Sequence, residues 1–117
     1  MTTIYGINNC DTVKKTLKWL DKNHITYTFH DFKKQGLSQE LLTSFVRKSD
    51  WDTLLNKRST TYRNLPQALK DNLTDTGCFN ACIEQPTLLK RPILIHENRC
   101  YVGFKEDFYQ EIFNVNK

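Results

Sequence analysis

The sequence has no long hydrophobic run. Its longest apolar stretches are three or four residues, Ile93 to Ile95 among them, far short of the ~20 residues that a bilayer-spanning helix needs. Met1-Thr2-Thr3 does not open a signal peptide, so the expected location is the cytoplasm, with no membrane partner. Charge of one sign is not concentrated either. Seventeen Lys and Arg against thirteen Asp and Glu leave a net charge of +4, and the pairs Lys14-Lys15, Lys33-Lys34 and Lys90-Arg91 alternate with acids. A basic stripe of the kind that grips nucleic acid is missing, and nucleic acid is not an expected partner. The four cysteines, Cys10, Cys78, Cys82 and Cys100, have neither the paired spacing of a zinc ribbon nor the density of a secreted disulfide scaffold. They read as cytosolic thiols, and no metal site is expected. Internal repeats, low-complexity tracts and linkers are missing as well.

What is present is the material of one globular domain. A chain of 117 residues, 12% aromatic and 26% charged, can fill a core and keep a wet surface without disulfides or a metal. Thr3-Ile4-Tyr5 is a strand-like run ending at the breaker Gly6, and a helical pattern opens after Cys10 with Val13, Leu17 and Leu20. Ile25, Tyr27 and Phe29 alternate with polar neighbours and predict a second strand continuing to about Phe32. A right-handed crossover makes these two strands parallel.

From Gly36 the period changes. Leu41, Leu42, Phe45 and Val46 predict a helix capped by Ser38, and Trp51, Leu54 and Leu55 another entered through Ser49-Asp50. Asn64-Leu65-Pro66 precedes a helix carrying Leu69 and Leu73, and Asp75 or Thr76 starts one carrying Phe79, Cys82 and Ile83. Two strands return at Ile93-Leu94-Ile95 and Cys100-Tyr101-Val102, joined by the polar stretch His96 to Arg99 as a hairpin. Phe108, Tyr109, Ile112 and Phe113 then predict a helix from Lys105 to the end. The expected fold class is α/β, in the order β-α-β, helical insertion, β-β-α. Residues 1–117 are expected to form a single domain, with the insertion at about 37–90.

Three segments stand out in order: Tyr5-Gly6-Ile7-Asn8-Asn9-Cys10-Asp11-Thr12, then Leu54 to Arg63 (Leu-Leu-Asn-Lys-Arg-Ser-Thr-Thr-Tyr-Arg), then Lys90-Arg91-Pro92-Ile93-Leu94. Together they resemble the arsenate reductase (ArsC/Spx) family of thioredoxin-like proteins, most closely its YffB-type branch. The resemblance implies a thioredoxin-like four-stranded mixed sheet. It implies Cys10 as the nucleophile and Arg91 as an oxyanion ligand beside Pro92, a candidate cis-proline. Arg58 or Arg63 from the insertion would join Arg91, and Asn9 and Thr12 flank the thiol. One departure bears on substrate: where arsenate reductases carry an arginine just after the fourth strand, this chain has Phe104.

A thiol attacks only as its thiolate. At a helix start, unpaired N–H groups and the positive end of the helix dipole favour that form; Lys14 and Lys15 add to it and Asp11 opposes it. Val13 stands where a Cys-x-x-Cys motif would put a second sulfur, so Cys10 is a monothiol that must be released by an outside thiol. Glutathione is the expected co-substrate, not a bound cofactor, and its carboxylates suit the forked donors of Arg91, Arg58 and Arg63. The leading expectation is a glutathione-coupled oxidoreductase acting on a disulfide, mixed disulfide or related electrophile. The alternatives are a glutathione- or glutaredoxin-dependent arsenate reductase and an Spx-like regulator that binds RNA polymerase. The chain is expected to be a monomer, with glutaredoxin as the other candidate partner.

The remaining chemistry-bearing residues read more simply. Cys78 and Cys82, four apart beside Phe79 and Ile83, are small core residues, because no other ligand pair completes a metal site. Cys100 is a packed strand residue. His24, His30 and His96 are scattered. Trp19, Phe45, Trp51, Tyr109 and Phe113 fall at helical spacing and belong to the core, whereas Phe104 stands open between core cover and substrate wall.

Overall fold

In the computed structural model, residues 2–71 and 75–115 are described. The chain divides into two compact units: one joins the residues up to Gln35 with those from Arg91 onward, and the other covers Gly36–Lys90.

The first unit is built on β1 (Thr2–Gly6), α1 (Asp11–Lys22), β2 (Thr28–Asp31), α2 (Phe32–Gln35), β3 (Ile93–His96), β4 (Arg99–Val102) and a C-terminal helix (Glu106–Ile112). The described residues form a mixed four-stranded sheet in the order β2-β1-β3-β4. β1 pairs parallel with β2 and antiparallel with β3, and β3 pairs antiparallel with β4. The β3–β4 turn places Glu97 at φ 52° and Asn98 at φ 64°, the two successive left-handed residues that a two-residue hairpin favours.

Ile4 lies opposite Phe29 on one side and Leu94 on the other, and Leu94 lies opposite Tyr101. This row is one face of the sheet. Trp19 and Leu20 of α1 and Tyr109 of the C-terminal helix close over it, with Leu17, Phe104 and Phe113 packed alongside. The rings meet edge to face: Trp19–Tyr109 centroids are 5.7 Å apart and Phe104–Tyr109 4.8 Å, the geometry that aromatic quadrupoles prefer. Burial pushes the Tyr109 phenol upward from its ordinary range, and its hydroxyl reaches the Gly103 carbonyl. Phe104 is therefore core cover.

The second unit is helical: α3 (Gln39–Lys48), α4 (Trp51–Leu54), α5 (Thr60–Arg63), α6 (Gln67–Asp71), α7 (Asp75–Glu84) and a 3-10 turn at Pro86–Leu88, so the C-terminal helix of the first unit is α8. Side chains cap three of the starts. Leu41 N–H donates to Ser38 Oγ at 3.1 Å, Thr53 N–H to Asp50 Oδ1 at 2.8 Å and Tyr62 N–H to Ser59 Oγ at 3.1 Å, each satisfying a donor that the first turn leaves open. The Thr53 N–H, then the Thr53 hydroxyl and more weakly the Asp52 N–H, hold the Asp50 carboxyl below the usual carboxylate range. Leu55 and Leu89 form an antiparallel bridge, flanked by Asn56 N–H to Leu88 O and Lys90 N–H to Leu54 O.

Several boundaries differ from the sequence expectation. The second strand begins at Thr28 and not Ile25, because Ile25 N–H is spent on the Leu20 carbonyl in closing α1, leaving Thr28–Asp31 to pair with Thr3–Gly6. Phe32 leaves the strand and opens α2, where Lys33 N–H donates to the Asp31 carboxylate at 2.9 Å. Leu55 ends α4 and does not extend it. α8 stops at Ile112 with Phe113 as its cap; residues 116–117, and Leu73 of the helix expected after Pro66, lie outside the described residues.

Leu94 is fully buried in the centre of the sheet while Phe108 is 48% exposed. Leu94→Ala is expected to cost about 3 kcal/mol. Phe108→Ala is expected to cost less than about 1 kcal/mol. Urea unfolding of the two variants against the parent measures both.

Candidate active site

β1 and β2 end, and β3 begins, at the same end of the sheet. Gly6 is level with Asp31, and Tyr5 with Ile93. The chain leaving Gly6 makes a tight turn, with Cys10 N–H donating to the Ile7 carbonyl at 3.3 Å, and Asn8 and Asn9 exposed at its tip. Cys10 is the N-cap of α1, with extended φ/ψ of −98° and 125°. Its carbonyl accepts the first helical bond from Lys14 N–H at 3.0 Å.

The Cys10 side chain makes no capping hydrogen bond, in keeping with sulfur as a weak acceptor. No i→i−4 helical partner therefore exists for the N–H groups of Asp11, Thr12 and Val13, at the positive end of a 12-residue helix. The thiol is half-buried, and Asp11, Thr12, Lys14 and Lys15 around it are exposed. Thr12 gives its carbonyl to the Thr16 hydroxyl at 2.8 Å.

Across the register, the residues preceding Ile93 are Pro92 and Arg91. The Arg91–Pro92 peptide is cis. Pro92 is buried and Arg91 half-buried, its Nε shielded from solvent. The Pro92 carbonyl accepts Gly103 N–H at 2.8 Å, which ties the segment after β4 to the cis-proline. At that position the chain turns through Gly103 at φ 83° and sends Phe104 into the Trp19–Tyr109 packing.

Two residues at this end of the sheet escaped the sequence reading as site neighbours. Asp31, the last residue of β2, is 4% exposed and accepts the Lys33 N–H two residues on, an Asx turn that an aspartate at a strand end favours. Tyr5, half-buried, packs its ring against His30 at 5.1 Å and Phe32 at 6.2 Å. Burial pushes the Tyr5 phenol upward, offset in part by the Thr3 side chain.

Arg58 and Arg63 belong to the second unit. Arg58 is exposed in the turn after α4, its N–H on Asn56 Oδ1. Arg63 is exposed at the end of α5, where its carbonyl accepts from Lys70 Nζ at 3.1 Å. Asn56, Lys57, Arg58 and Lys90 line a cavity of about 300 Å³ together with Asp52, and Lys57 pairs with Asp52 at 3.2 Å.

The other thiols differ in kind. Cys78 and Cys82 are buried on α7, and Cys82 is pushed up to about 12 by burial and then by the neighbouring Cys78. Cys100 is half-buried, opposite Ile95 in β4. Among the described residues no group of three or more His, Cys, Asp or Glu side chains is placed to hold a metal, and no helix is long and apolar enough to cross a membrane.

A mixed four-stranded sheet in this order, with a cysteine at the N-cap of the first helix and a cis-proline opening the third strand, is a thioredoxin-like fold. The chain belongs to the ArsC family, whose model matches residues 5–112. It is 46% identical over 113 residues to an uncharacterized protein of Haemophilus influenzae, covering 97% of this chain and 99% of that one. To the global transcriptional regulator Spx 1 of Bacillus cereus it is 31% identical over 109 residues, 92% of this chain and 82% of that one. Among solved structures it is similar to a YffB protein, 38% identical with a TM-score of 0.87 over 95% of this chain and 97% of that one. It is also similar to an arsenate reductase-related protein from Brucella melitensis, 42% identical with a TM-score of 0.79 over 97% and 95%.

The buried thiol of Cys82 makes stability fall on the alkaline side. Its value rises from 9.0 to about 12 on folding, so between these pH values the unfolded chain has lost a proton that the folded chain retains. Stability is full below about pH 9 and is lost as pH rises toward 12, by up to about 1.4 kcal/mol per pH unit from this group. Cys82→Ala is expected to flatten that slope. Urea unfolding at pH 8 and pH 10 checks it; an unchanged slope would place the alkaline loss elsewhere.

Proposed function

We propose that this protein is a cytoplasmic, glutathione-coupled monothiol oxidoreductase acting on mixed disulfides through Cys10. The observation that carries this reading is the half-buried Cys10 at the N-cap of α1, at the same end of the sheet as Arg91 and cis-Pro92. In the reaction, the Cys10 thiolate attacks the glutathione sulfur of a mixed disulfide. The S–S bond breaks, the substrate sulfur leaves as a thiolate and takes a proton from water, and Cys10 is left in a disulfide with glutathione. A second glutathione thiolate then attacks that disulfide, so Cys10 returns as thiolate and oxidised glutathione leaves. The substrate is reduced by two electrons, and the two glutathione moieties depart joined.

The first-turn N–H groups and the Arg91 guanidinium supply donors for the glutathione carboxylates, with Asn9 and Thr12 at the rim. Phe104 packs with Trp19 and Tyr109, so the third arginine of the arsenate reductase pattern has no counterpart there. This favours an organic disulfide over a compact tetrahedral oxyanion. The similarity to Spx supports a second reading, a non-enzymatic partner of RNA polymerase. Val13, in the place of a second Cys-x-x-Cys sulfur, removes the redox switch from that reading but leaves binding open to a pull-down with polymerase.

Purified protein with 2-hydroxyethyl disulfide, glutathione, glutathione reductase and NADPH tests the proposal. Cys10→Ser is expected to abolish NADPH consumption, while Cys100→Ser retains it. Arg91→Ala is expected to raise KM for glutathione about tenfold, the loss of roughly one charged hydrogen bond, with little change in unfolding midpoint. Turnover that survives in Cys10→Ser sinks the reading. Turnover with arsenate and none with the disulfide replaces it by arsenate reduction.

A further inference from the structure

Gly6 stands at the end of β1 in ordinary strand pairing with Asp31. The glycines with positive φ are Gly36 at 77° and Gly103 at 83°, each with open space where a side chain would go. Gly6 is the reverse case. Its backbone is one that any residue adopts, and a glycine there weakens the strand, but a Cβ built on it would lie 2.7 Å from Val13 Cγ2, with Val13 Cγ1 at 3.6 Å and Cβ at 3.7 Å. Ordinary carbon contacts begin near 3.5 Å, so a side chain at position 6 has to push Val13 away by roughly 1 Å. Val13 is fully buried and cannot swing out to solvent.

We infer that Gly6 is a positioning residue for Cys10: the space of its missing side chain seats Val13, and that seat fixes how closely the thiol-bearing end of α1 approaches β1. This rests on reading Cys10 as the nucleophile. Val13 follows Cys10 by three residues within the same first turn, and the Cys10 carbonyl is bonded to Lys14 N–H, so a displacement of Val13 carries the thiol with it. Arg91 and Pro92 are held to the same strand by the pairing of Tyr5 with Ile93. The thiol and the guanidinium are both hung from β1, one through the Gly6–Val13 contact and the other through the β1–β3 ladder. Widening the first shifts the nucleophile against the cation that orients an anionic disulfide.

The test uses the full chain as parent, Gly6→Ala, Val13→Ala and the double variant, each checked for folding by circular dichroism. Two rates of mixed-disulfide formation at Cys10 are read by mass spectrometry: one with oxidised glutathione, which is anionic, and one with neutral 2-hydroxyethyl disulfide. Gly6→Ala is expected to slow capture of oxidised glutathione about tenfold, as for a misplacement of order 1 Å, and the neutral disulfide much less. Removing the two Val13 methyl groups makes room for the new Cβ, so the double variant is expected to regain the glutathione preference of Val13→Ala. A folded Gly6→Ala with the parent's ratio of rates overturns the inference, as does a double variant no better than Gly6→Ala. If Gly6→Ala fails to fold, a folded double variant with the preference regained supports the inference, and one that also fails to fold, or folds without the preference, overturns it. A parent inert at Cys10 toward both disulfides sinks the nucleophile reading and this inference with it; a reactive parent with an unaffected Gly6→Ala sinks this inference alone.

Discussion

β1 is hydrogen-bonded on both sides, parallel to β2 and antiparallel to β3, and the position of every other functional element in the first unit is referred to it. Its register with β3 sets two things together. Ile4 meets Leu94, which puts both side chains into the core formed with Trp19, Leu20 and Tyr109. Tyr5 meets Ile93, which brings Arg91 and Pro92 to the end of β1 where the Cys10 loop departs. A slip by one residue would turn Leu94 to the opposite face and move the cis-proline along the strand, because alternate residues point to opposite sides. The hydrophobic packing that stabilises the sheet is thus also what holds the candidate site in register.

The same economy appears in how the chain uses its sulfur and its aromatic rings. Cys78 and Cys82 are packed like small apolar residues, and burial keeps Cys82 a thiol far into the alkaline range. A buried thiol held protonated, as Cys82 is, is a poor nucleophile. Phe104 contributes to the core: its ring stands edge-on to Tyr109. Because Gly103 N–H is bonded to the Pro92 carbonyl, the same two-residue segment anchors the cis-proline and feeds the core. In this position an arginine would bring charge to the site; the phenylalanine brings packing.

Much of this was legible in the sequence. Ser38 and Asp50 announced helix starts by residue type alone, since a short side-chain acceptor ahead of a periodic apolar run answers the open donors of the first turn. The hairpin from Ile93 to Val102 was equally plain, from two β-rich runs and a polar turn. The sequence makes the second strand too long because Ile25 and Tyr27 alternate like strand residues while serving to close α1 and cover the core. Alternation reports burial on one side, and it cannot tell a paired strand from an extended approach to one. The short helices α2 and α5 span four residues each, too few for a period to show. In the sequence Gly6 reads as a breaker; that it is a space-making residue depends on Val13 lying over it, a contact between two elements that no local pattern encodes.

Position 13 joins the packing to the chemistry. In a Cys-x-x-Cys protein the third residue after the first cysteine carries the sulfur that resolves a mixed disulfide within the chain. Here it carries two methyl groups, fully buried and seated against Gly6. The absence of a local resolving thiol and the close approach of α1 to β1 are therefore one substitution seen from two sides. On the proposed reading, Cys10 has no neighbour to release it and depends on a thiol arriving from solution, and arrival requires access. Asn8, Asn9, Asp11 and Thr12, all exposed, surround a half-buried Cys10, while Val13, Thr16 and Leu20 form a fully buried row along α1 that keeps the helix fixed. Rigidity below the sulfur and openness above it are the two properties that an intermolecular thiol exchange at this position needs.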